Sequence, residues 1–394
     1  MTQIDCHKYF DFAATGIPDA EIIRSSIEQS LEHWGNPSSI HDWGKDAKNV
    51  LENAREICEK VLNVKKGTVY FTSGGTESDH IPLLAVINRP VKGSVAISNI
   101  EHPALREMKS SLEHAGLKVI SIQSDKNGFV TKENVLAALQ EDTVFVSVMA
   151  VNNETGAVND IYSIADAITE FGKGKRKPFF HVDCVQAAGK VPLKLNHPGI
   201  DSAALSAHKI GGPRGIGILY LSKEINAFMR GGGQEKNVRS GTENVFGAVA
   251  FSKCLEKYFW NQKRFELQKK WTEEFIQKLI SQTNGKCTII PHGRIELQDN
   301  YSPWVVQAAF KNIPGQVMVR ALSSKGFYIS TGSACSASKQ SRPILDAMNI
   351  SGAEKETAVR FSFGHLTTWD DMENLLKAVK ETCEIFNKML VSAK

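Results

Sequence analysis

Short β-rich runs alternate with helical segments along the chain between residues 68 and 221. The β-rich runs cover 68–72, 95–97, 118–122, 144–151, 179–182 and 217–221. Apolar residues at helical spacing occupy 45–64, 81–87, 102–115, 132–139 and 161–171. Strands that alternate with helices favour a mostly parallel sheet covered on both faces. The sequence therefore predicts an α/β fold.

The pattern changes after residue 246. A long helical region extends to about residue 282, a β-rich segment follows, and two further helices are predicted over 317–325 and 370–390. A chain of 394 residues is long enough for two domains at about 100–200 residues each. We expect a large α/β domain and a smaller C-terminal α+β domain on which the first residues pack. The expected bounds are 15–254 for the large domain, and 1–14 with 255–394 for the small one.

Charge and cysteine usage exclude several classes of protein. The net charge is +4 from 47 basic and 43 acidic residues, so we expect no nucleic-acid partner. No signal-peptide pattern opens the chain and no apolar run reaches the ~20 residues that a membrane span needs, so we expect a cytoplasmic protein. Seven cysteines without a CxxC pair predict neither a disulfide framework nor a zinc site.

A glycine turn follows the first β-rich run. Gly74, Gly75 and Thr76 stand between the predicted strand 68–72 and a helix. A helix N-terminus at such a turn presents free N–H groups, which suit a phosphate. The turn is not a P-loop, because no Lys-Ser/Thr follows, and it lacks the GxGxxG spacing. A tight structural turn remains the alternative.

Two residues later in the chain, an aspartate and a lysine, are further candidates for a functional site. Asp183 directly follows the run 179–182, at the sheet edge where ligands bind in such folds, although a helix N-cap would also place an Asp there. Glycines and a proline crowd around Lys209 over 211–217 and fix the backbone beside it. A lysine in a dry pocket can form a Schiff base, and with a carboxylate upstream it provides what pyridoxal phosphate requires.

Nine segments, in order from residue 36 to 362, resemble the cysteine desulfurases, which are class V aminotransferase-like enzymes. This resemblance implies a fold-type-I, pyridoxal-phosphate-dependent transferase. The segments are NPSSIH (36–41), TSGGTES (72–78), EHP (101–103), VNNE (151–154), HVDCVQAAGK (181–190), SAHKIGGPRGIG (206–217), GGGQEKNVRSGTEN (231–244), STGSACSAS (330–338) and RFS (360–362).

The resemblance implies roles for the residues that hold pyridoxal 5'-phosphate. Lys209 forms the Schiff base, Asp183 keeps the ring nitrogen protonated, and His102 stacks on the ring and acts as an acid and base. A histidine that only caps its own helix is the alternative for His102. Gln186 and Asn153 bond the phenolate oxygen of the ring. The phosphate contacts are implied for Gly75, Thr76, Ser206, His208 and, from the second subunit of a homodimer, Thr242.

Further roles concern the substrate. By resemblance, Cys335 is the nucleophile, and Arg360 with help from Asn36 binds the carboxylate of L-cysteine. The small, polar stretch around Cys335 (332–338) favours an exposed, reactive thiol over a packing one. Cys335 precedes Arg360 by 25 residues, which resembles the desulfurases that hand sulfur from a long cysteine loop directly to a scaffold protein. A surface arginine is the alternative for Arg360.

Four positions depart from the usual desulfurase pattern. Phe12 stands where a polar residue is common, and Ala150 where a histidine is frequent. Gly211 replaces a common aromatic residue, and His365 replaces a frequent arginine. None of the four has a role implied above.

The implied activity is conversion of L-cysteine to L-alanine with transfer of sulfur as a persulfide on Cys335. The sulfur would serve iron–sulfur cluster or thio-cofactor biosynthesis through an iron–sulfur scaffold or another acceptor protein. A selenocysteine lyase or an aminotransferase of the same fold is the alternative enzyme. A cofactor-binding regulator without catalysis is a second alternative. A nicotinamide-dependent dehydrogenase is disfavoured, because no dinucleotide fingerprint follows any strand.

Overall fold

A seven-stranded sheet forms the centre of the larger part of the molecule. The computed structural model describes residues 5–90, 92–332 and 342–392. Across the sheet the strand order is β1-β7-β6-β5-β4-β2-β3, and the strands from β2 to β6 run parallel whereas β7 is antiparallel to β6 and β1. The prediction of a mostly parallel α/β sheet is confirmed. The strands are β1 (Thr68–Thr72), β2 (Ser94–Ser98), β3 (Lys118–Ile122), β4 (Thr143–Ser147), β5 (Phe179–Asp183), β6 (Ser202–Ser206) and β7 (Gly217–Leu221).

Strand β6 was not predicted from the sequence. Its residues Ser-Ala-Ala-Leu-Ser are small and all five are buried. They lack the β-branched and aromatic residues by which the other strands were recognised. The strand matters for the site because it ends at Ser206, three residues before Lys209.

Helices cover both faces of this sheet. Helix α7 has the predicted bounds and begins after Asp160, whose side chain accepts a hydrogen bond from the Ser163 N–H. The helix predicted over 102–115 is instead two short helices, α4 and α5. The helices of this part are α1 (Ala20–Glu32), α2 (Asp42–Val61), α3 (Gly75–Ala85), α4 (Pro103–Arg106), α5 (Lys109–His114), α6 (Lys132–Ala138), α7 (Ile161–Phe171) and α8 (Val245–Tyr258).

A three-stranded antiparallel sheet of order β10-β9-β8 organises the C-terminal part. Phe10 packs against Phe327 and Phe363, so the first described residues join the core of this part. The domain boundaries given above stay a prediction. The elements are α9 (Gln262–Gln282), β8 (Cys287–Ile290), β9 (Val305–Phe310), α10 (Gly315–Ser324), α11 (Pro343–Ala347), α12 (Gly352–Thr357), β10 (Ala358–Ser362) and α13 (Trp369–Ser392).

Two further features concern the class of protein. Within the described ranges, no helix combines the length and the apolar content needed to span a bilayer. Six cysteines lie in these ranges, all as free thiols, and five of them are buried. Those five therefore act as core-filling residues.

Candidate active site

One cavity of about 250 Å³ opens at the carboxyl ends of the parallel strands. It collects ten of the site residues predicted from the sequence: Gly75, Thr76, His102, Asn153, Asp183, Gln186, Ser206, His208, Lys209 and Arg360. Five lining residues were not predicted: Ala13, Ala14, Asp79, Met149 and Val185. Because the strands end at a common edge, residues far apart in sequence meet here.

Lys209 is held in a fixed turn after β6. The N–H groups of Ile210 and Gly212 both donate to the carbonyl oxygen of Ala207. Gly211 between them has φ +85°, a conformation that favours glycine. The Lys209 Nζ donates to the carbonyl oxygens of Ala13 at 2.7 Å and of Ala14 at 2.6 Å. The glycine-rich sequence thus aims the amine into the cavity.

Asp183 ends β5 as a buried carboxyl group. Its Oδ1 accepts a hydrogen bond from the Val185 N–H at 2.8 Å, so it stabilises the following turn while it lines the cavity. Burial, together with the neighbouring charge of Asp79, raises its pKa to about 7. A cation placed against Asp183 would stabilise the ionised carboxylate, and a protonated pyridine nitrogen is such a cation.

A buried polar chain lies behind Asp183. Asp79 Oδ1 is 3.0 Å from His181 Nε2, and His181 Nδ1 is 2.7 Å from the Ser202 hydroxyl. Burial lowers the pKa of His181 to about 4 and raises the pKa of Asp79 well above its ordinary value. The only sequence signal for Asp79 was its place four residues after Gly75, on the same face of α3.

His102 both caps a helix and lines the cavity. Its Nδ1 accepts a hydrogen bond from the Ala104 N–H at 3.2 Å at the start of α4. Burial, with the charges of Lys209 and Arg106, lowers its pKa to about 4. Because Nδ1 is the acceptor, the neutral ring carries its proton on Nε2. The alternative of a helix-capping histidine therefore holds together with a place in the site.

Gln186 connects the lysine to a second buried lysine. Its Nε2 donates to the carbonyl oxygen of Ala13 at 2.8 Å, which is also an acceptor for Lys209. Its Oε1 accepts from the Lys190 Nζ at 2.6 Å. The amide of Gln186 is therefore held at both ends. Lys190 lay in a matching segment of the sequence but was given no role.

Arg360 on β10 is buried, with 1% of its surface exposed, which excludes the surface arginine of the alternative interpretation. Its Nη1 donates to the Asn153 carbonyl oxygen at 2.8 Å and its Nη2 to Asp11 Oδ1 at 2.7 Å. The Nε of Arg360 and the Oδ1 of Asn153 are buried without a hydrogen-bond partner among the described residues. These two orphaned groups give the cavity one donor and one acceptor for a bound molecule.

The remaining cavity wall suits a phosphate. Helix α3 begins at Gly75, where a Cβ atom would lie 2.8 Å from Val185 Cγ2, so only glycine fits. Ser206 lies at the end of β6, and the His208 Nδ1 is 3.1 Å from the Thr15 hydroxyl. Burial, then the charge of Lys209, lowers the pKa of His208 to about 3, so its ring is neutral at pH 7. The helix terminus and the hydroxyl donors fit the phosphate of pyridoxal 5'-phosphate, as Lys209 and Asp183 fit its ring.

Two predicted site residues do not line this cavity, and a third lies outside the described residues. Asn36 is exposed, and its Oδ1 accepts a hydrogen bond from the Ser38 N–H at 3.0 Å. Thr242 is exposed and does not line the cavity, and Cys335 lies outside the described residues. The roles of these three stay predictions.

Comparison with known proteins agrees with this geometry. Residues 8–375 match the family described as aminotransferase class-V. The chain is 32% identical to the cysteine desulfurase IscS of Dictyoglomus turgidum, over 95% of this chain and 94% of that one. It is 32% identical to the cysteine desulfurase NifS of Azotobacter vinelandii, over 94% and 91%. The solved structure of a NifS-like protein superposes with a TM-score of 0.85 at 33% identity, covering 96% of this chain and 99% of that one.

Proposed function

Since the chain belongs to the class V aminotransferase family, and within it to the cysteine desulfurases, we propose that it converts L-cysteine to L-alanine and moves the sulfur to Cys335. The observation that carries the proposal is the convergence of Lys209, Asp183 and Arg360 on one cavity. A Schiff-base amine, an acid for a pyridinium and a guanidinium for a carboxylate are the three groups that amino-acid chemistry with this cofactor needs.

The cofactor of this family is pyridoxal 5'-phosphate, which supplies an electron sink for a carbanion at the α-carbon of the substrate. In our proposal Lys209 holds it as a Schiff base, and Asp183 keeps its ring nitrogen protonated. The α3 terminus with Ser206 and His208 binds its phosphate. Gln186, fixed by Lys190, presents its remaining amide N–H to the ring oxygen.

Arg360 orients the substrate and Lys209 moves its proton. The guanidinium binds the substrate carboxylate through Nε and an Nη atom, which directs the α-hydrogen toward the amine. As a free amine, Lys209 would remove that proton as a general base, a contribution of roughly 10²–10⁴-fold. The neutral ring of His102 can donate a hydrogen bond from its Nε2–H to a reacting group on which negative charge develops.

The sulfur step belongs to Cys335. Its thiolate attacks the sulfur of the substrate, so that a sulfur–sulfur bond forms as the carbon–sulfur bond breaks. The electron pair of the broken bond remains with the carbon skeleton, which takes up a proton and leaves as L-alanine. Cysteine and thiol thus become alanine and a persulfide, with no other oxidant or reductant.

We also propose a homodimer in which Thr242 reaches the phosphate of the second subunit. The exposed position of Thr242, away from its own cavity, supports this arrangement. Sulfur then passes from Cys335 to an iron–sulfur scaffold or another acceptor protein. The free thiols of the described part suit a reducing compartment, and we propose the cytoplasm.

The proposed activity is tested by incubating the purified, cofactor-loaded protein with L-cysteine and a thiol reductant. We expect L-alanine and sulfide in equal amounts. Amino transfer to a 2-oxo acid without sulfide would identify an aminotransferase instead. Release of selenide from L-selenocysteine, with none of sulfide from L-cysteine, would identify a selenocysteine lyase.

A further inference from the structure

A second cavity of about 310 Å³ shares Lys209 with the candidate active site. Six aromatic side chains form part of its walls, and no aspartate or glutamate is among its described lining residues. The aromatic residues are Phe12, Tyr258, Trp260, Phe265, Trp304 and Phe363. The proposed desulfurase chemistry uses none of them.

Two basic side chains that line this cavity, Lys190 and Arg264, have no carboxylate partner in the part of the chain that the structure describes. Lys190 is 6% exposed, and its Nζ has the neutral amide oxygen of Gln186 as its acceptor. The guanidinium of Arg264 lies over the ring of Trp304 at 5.2 Å, and its Nη2 donates only to backbone carbonyl oxygens. By contrast, Lys257 at the rim is paired with Asp19 at 2.7 Å. The interior therefore holds two basic groups among aromatic side chains.

The surroundings of Lys190 disfavour a charged amine. Burial, then the charges of Lys209 and Arg360, lowers its pKa well below its ordinary value. An anion placed beside Lys190 would offset this loss of hydration and restore the charged form. The cavity is therefore electrostatically complementary to a negatively charged molecule.

Three of the four departures from the desulfurase pattern meet at this place. Phe12 and His365 line the cavity, and their rings are 6.3 Å apart. A Cβ atom on Gly211 would lie 3.4 Å from both His365 Cε1 and Tyr258 Cε2. An aromatic residue at position 211 and an arginine at position 365 would both add side-chain volume here. The small Gly211 and the shorter ring of His365 therefore leave space at this place.

We propose that the second cavity binds a small organic anion with a flat apolar body, such as an aromatic carboxylate. The aromatic walls would enclose the flat body, and Lys190 with Arg264 would bind the carboxylate. This site goes beyond the proposed desulfurase activity and does not require turnover.

The direct test is calorimetric titration of the cofactor-loaded protein with 2-naphthoate, without and with saturating L-alanine. L-Alanine occupies the carboxylate position at Arg360, so binding at the second cavity should persist in its presence with one site per chain. The neutral isostere 2-naphthylmethanol should bind at least about tenfold more weakly, because it cannot form charge-assisted hydrogen bonds. Equal binding of the neutral compound, competition by L-alanine, or no saturable binding would each overturn the proposal.

Substitutions of the lining residues test whether 2-naphthoate binds in the second cavity. Lys190→Met and Arg264→Met should each weaken 2-naphthoate binding at least about tenfold, and His365→Trp should abolish it by filling the cavity. Lys270→Met, an exposed change on the same helix as Arg264, is the matched control and should bind like the wild type. If Arg264→Met does not fold, the affinities of Lys190→Met and His365→Trp for 2-naphthoate provide the test. Unchanged affinity in those two variants would place the anion elsewhere and overturn the proposal.

Discussion

The Nη2 of Arg342 donates a hydrogen bond to the carbonyl oxygen of Thr331 at 2.5 Å. These residues flank the segment 333–341, to which Cys335 belongs. Gly332 between them has φ +147°, a conformation that favours glycine, and lies next to the side-chain ends of Glu154 and Arg342. Thr331 and Arg342 therefore meet beside Glu154, whose neighbour in sequence, Asn153, lines the cavity.

We predict that Arg342→Met slows sulfur transfer and leaves the cofactor in place. The variant loses the hydrogen bond to Thr331 and should lose about 1–3 kcal/mol of stability. The rate of sulfide release from L-cysteine should fall several-fold, because the residues on either side of the segment that contains Cys335 are no longer joined by this hydrogen bond. The cofactor absorbance should be retained. Arg320→Met, an exposed change on α10, is the control. Wild-type turnover by Arg342→Met would show that this anchor does not position Cys335.

The raised pKa of Asp183 predicts that the stability of the cofactor-free protein depends on pH. Its pKa rises from an ordinary 3.8 to about 7 on folding, so the folded state binds the extra proton over this range. Its contribution to stability is therefore present below about pH 4 and lost as the pH rises to about 7. Asp183→Asn removes this loss, which amounts to at most about 4 kcal/mol at 1.4 kcal/mol per pKa unit.

Chemical denaturation between pH 4 and pH 8 checks this prediction. The stability difference between Asp183→Asn and the wild type should grow in favour of the variant across that interval in the cofactor-free proteins. With cofactor the order should reverse, because asparagine cannot balance a protonated ring nitrogen. A difference independent of pH would contradict the assignment of the raised pKa to Asp183.

Arg360→Lys should weaken substrate binding more than it slows the chemistry. A lysine cannot make the bidentate contact that a guanidinium offers a carboxylate. Loss of one charge-assisted hydrogen bond of about 1.5–3 kcal/mol corresponds to a KM for L-cysteine roughly 10–100-fold higher. Steady-state kinetics separate KM from kcat, and the cofactor content reports on the fold. An unchanged KM would remove Arg360 from the substrate site.

Borohydride reduction of the cofactor-loaded protein should fix the cofactor on one lysine. Peptide mapping should place the label on Lys209, whose amine is aimed into the first cavity. Lys190 is the informative comparison, because it is the other lysine near Gln186. A label on Lys190, or labelling that survives in Lys209→Ala, would contradict the proposed Schiff base.

Much of the fold could be predicted because periodic patterns are local. The alternation of strands and helices indicated the sheet, and glycines around Lys209 indicated a fixed turn. Strand β6 was missed because Ser202, Ala203 and Ala204 carry no β-forming signal, although burial on both sides makes them fit a central strand. Tertiary packing therefore determines that these residues form a strand, which their local propensity does not indicate.

The features of the site that were not predicted from the sequence depend on contacts between distant segments. The Ala13 carbonyl that accepts from Lys209 lies 196 residues away in sequence, and a backbone acceptor has no residue signature. The pairing of Asp79 with His181 spans 102 residues and was likewise invisible. Family resemblance supplied roles for Asn36 and Thr242 that this cavity does not test, since neither side chain lines it.

Cysteine substitution separates a reactive thiol from packing thiols. Alanine at any of the other six cysteines should keep desulfuration, at a cost of roughly 1–3 kcal/mol where the thiol is buried. Those cysteines are Cys6, Cys58, Cys184, Cys254, Cys287 and Cys383. Burial raises the pKa of the thiols of Cys184 and Cys254, which makes them poor nucleophiles at neutral pH.

The most direct test of the proposed function is therefore the release of L-alanine and sulfide from L-cysteine by Cys335→Ala under reductant. The variant retains Lys209, Asp183 and Arg360, so it should bind the cofactor and show the spectral change on adding L-cysteine. Our account predicts that it releases neither L-alanine nor sulfide, because alanine offers no thiolate to accept the sulfur. Sulfide release at close to the wild-type rate would contradict the account and show that another group removes the sulfur.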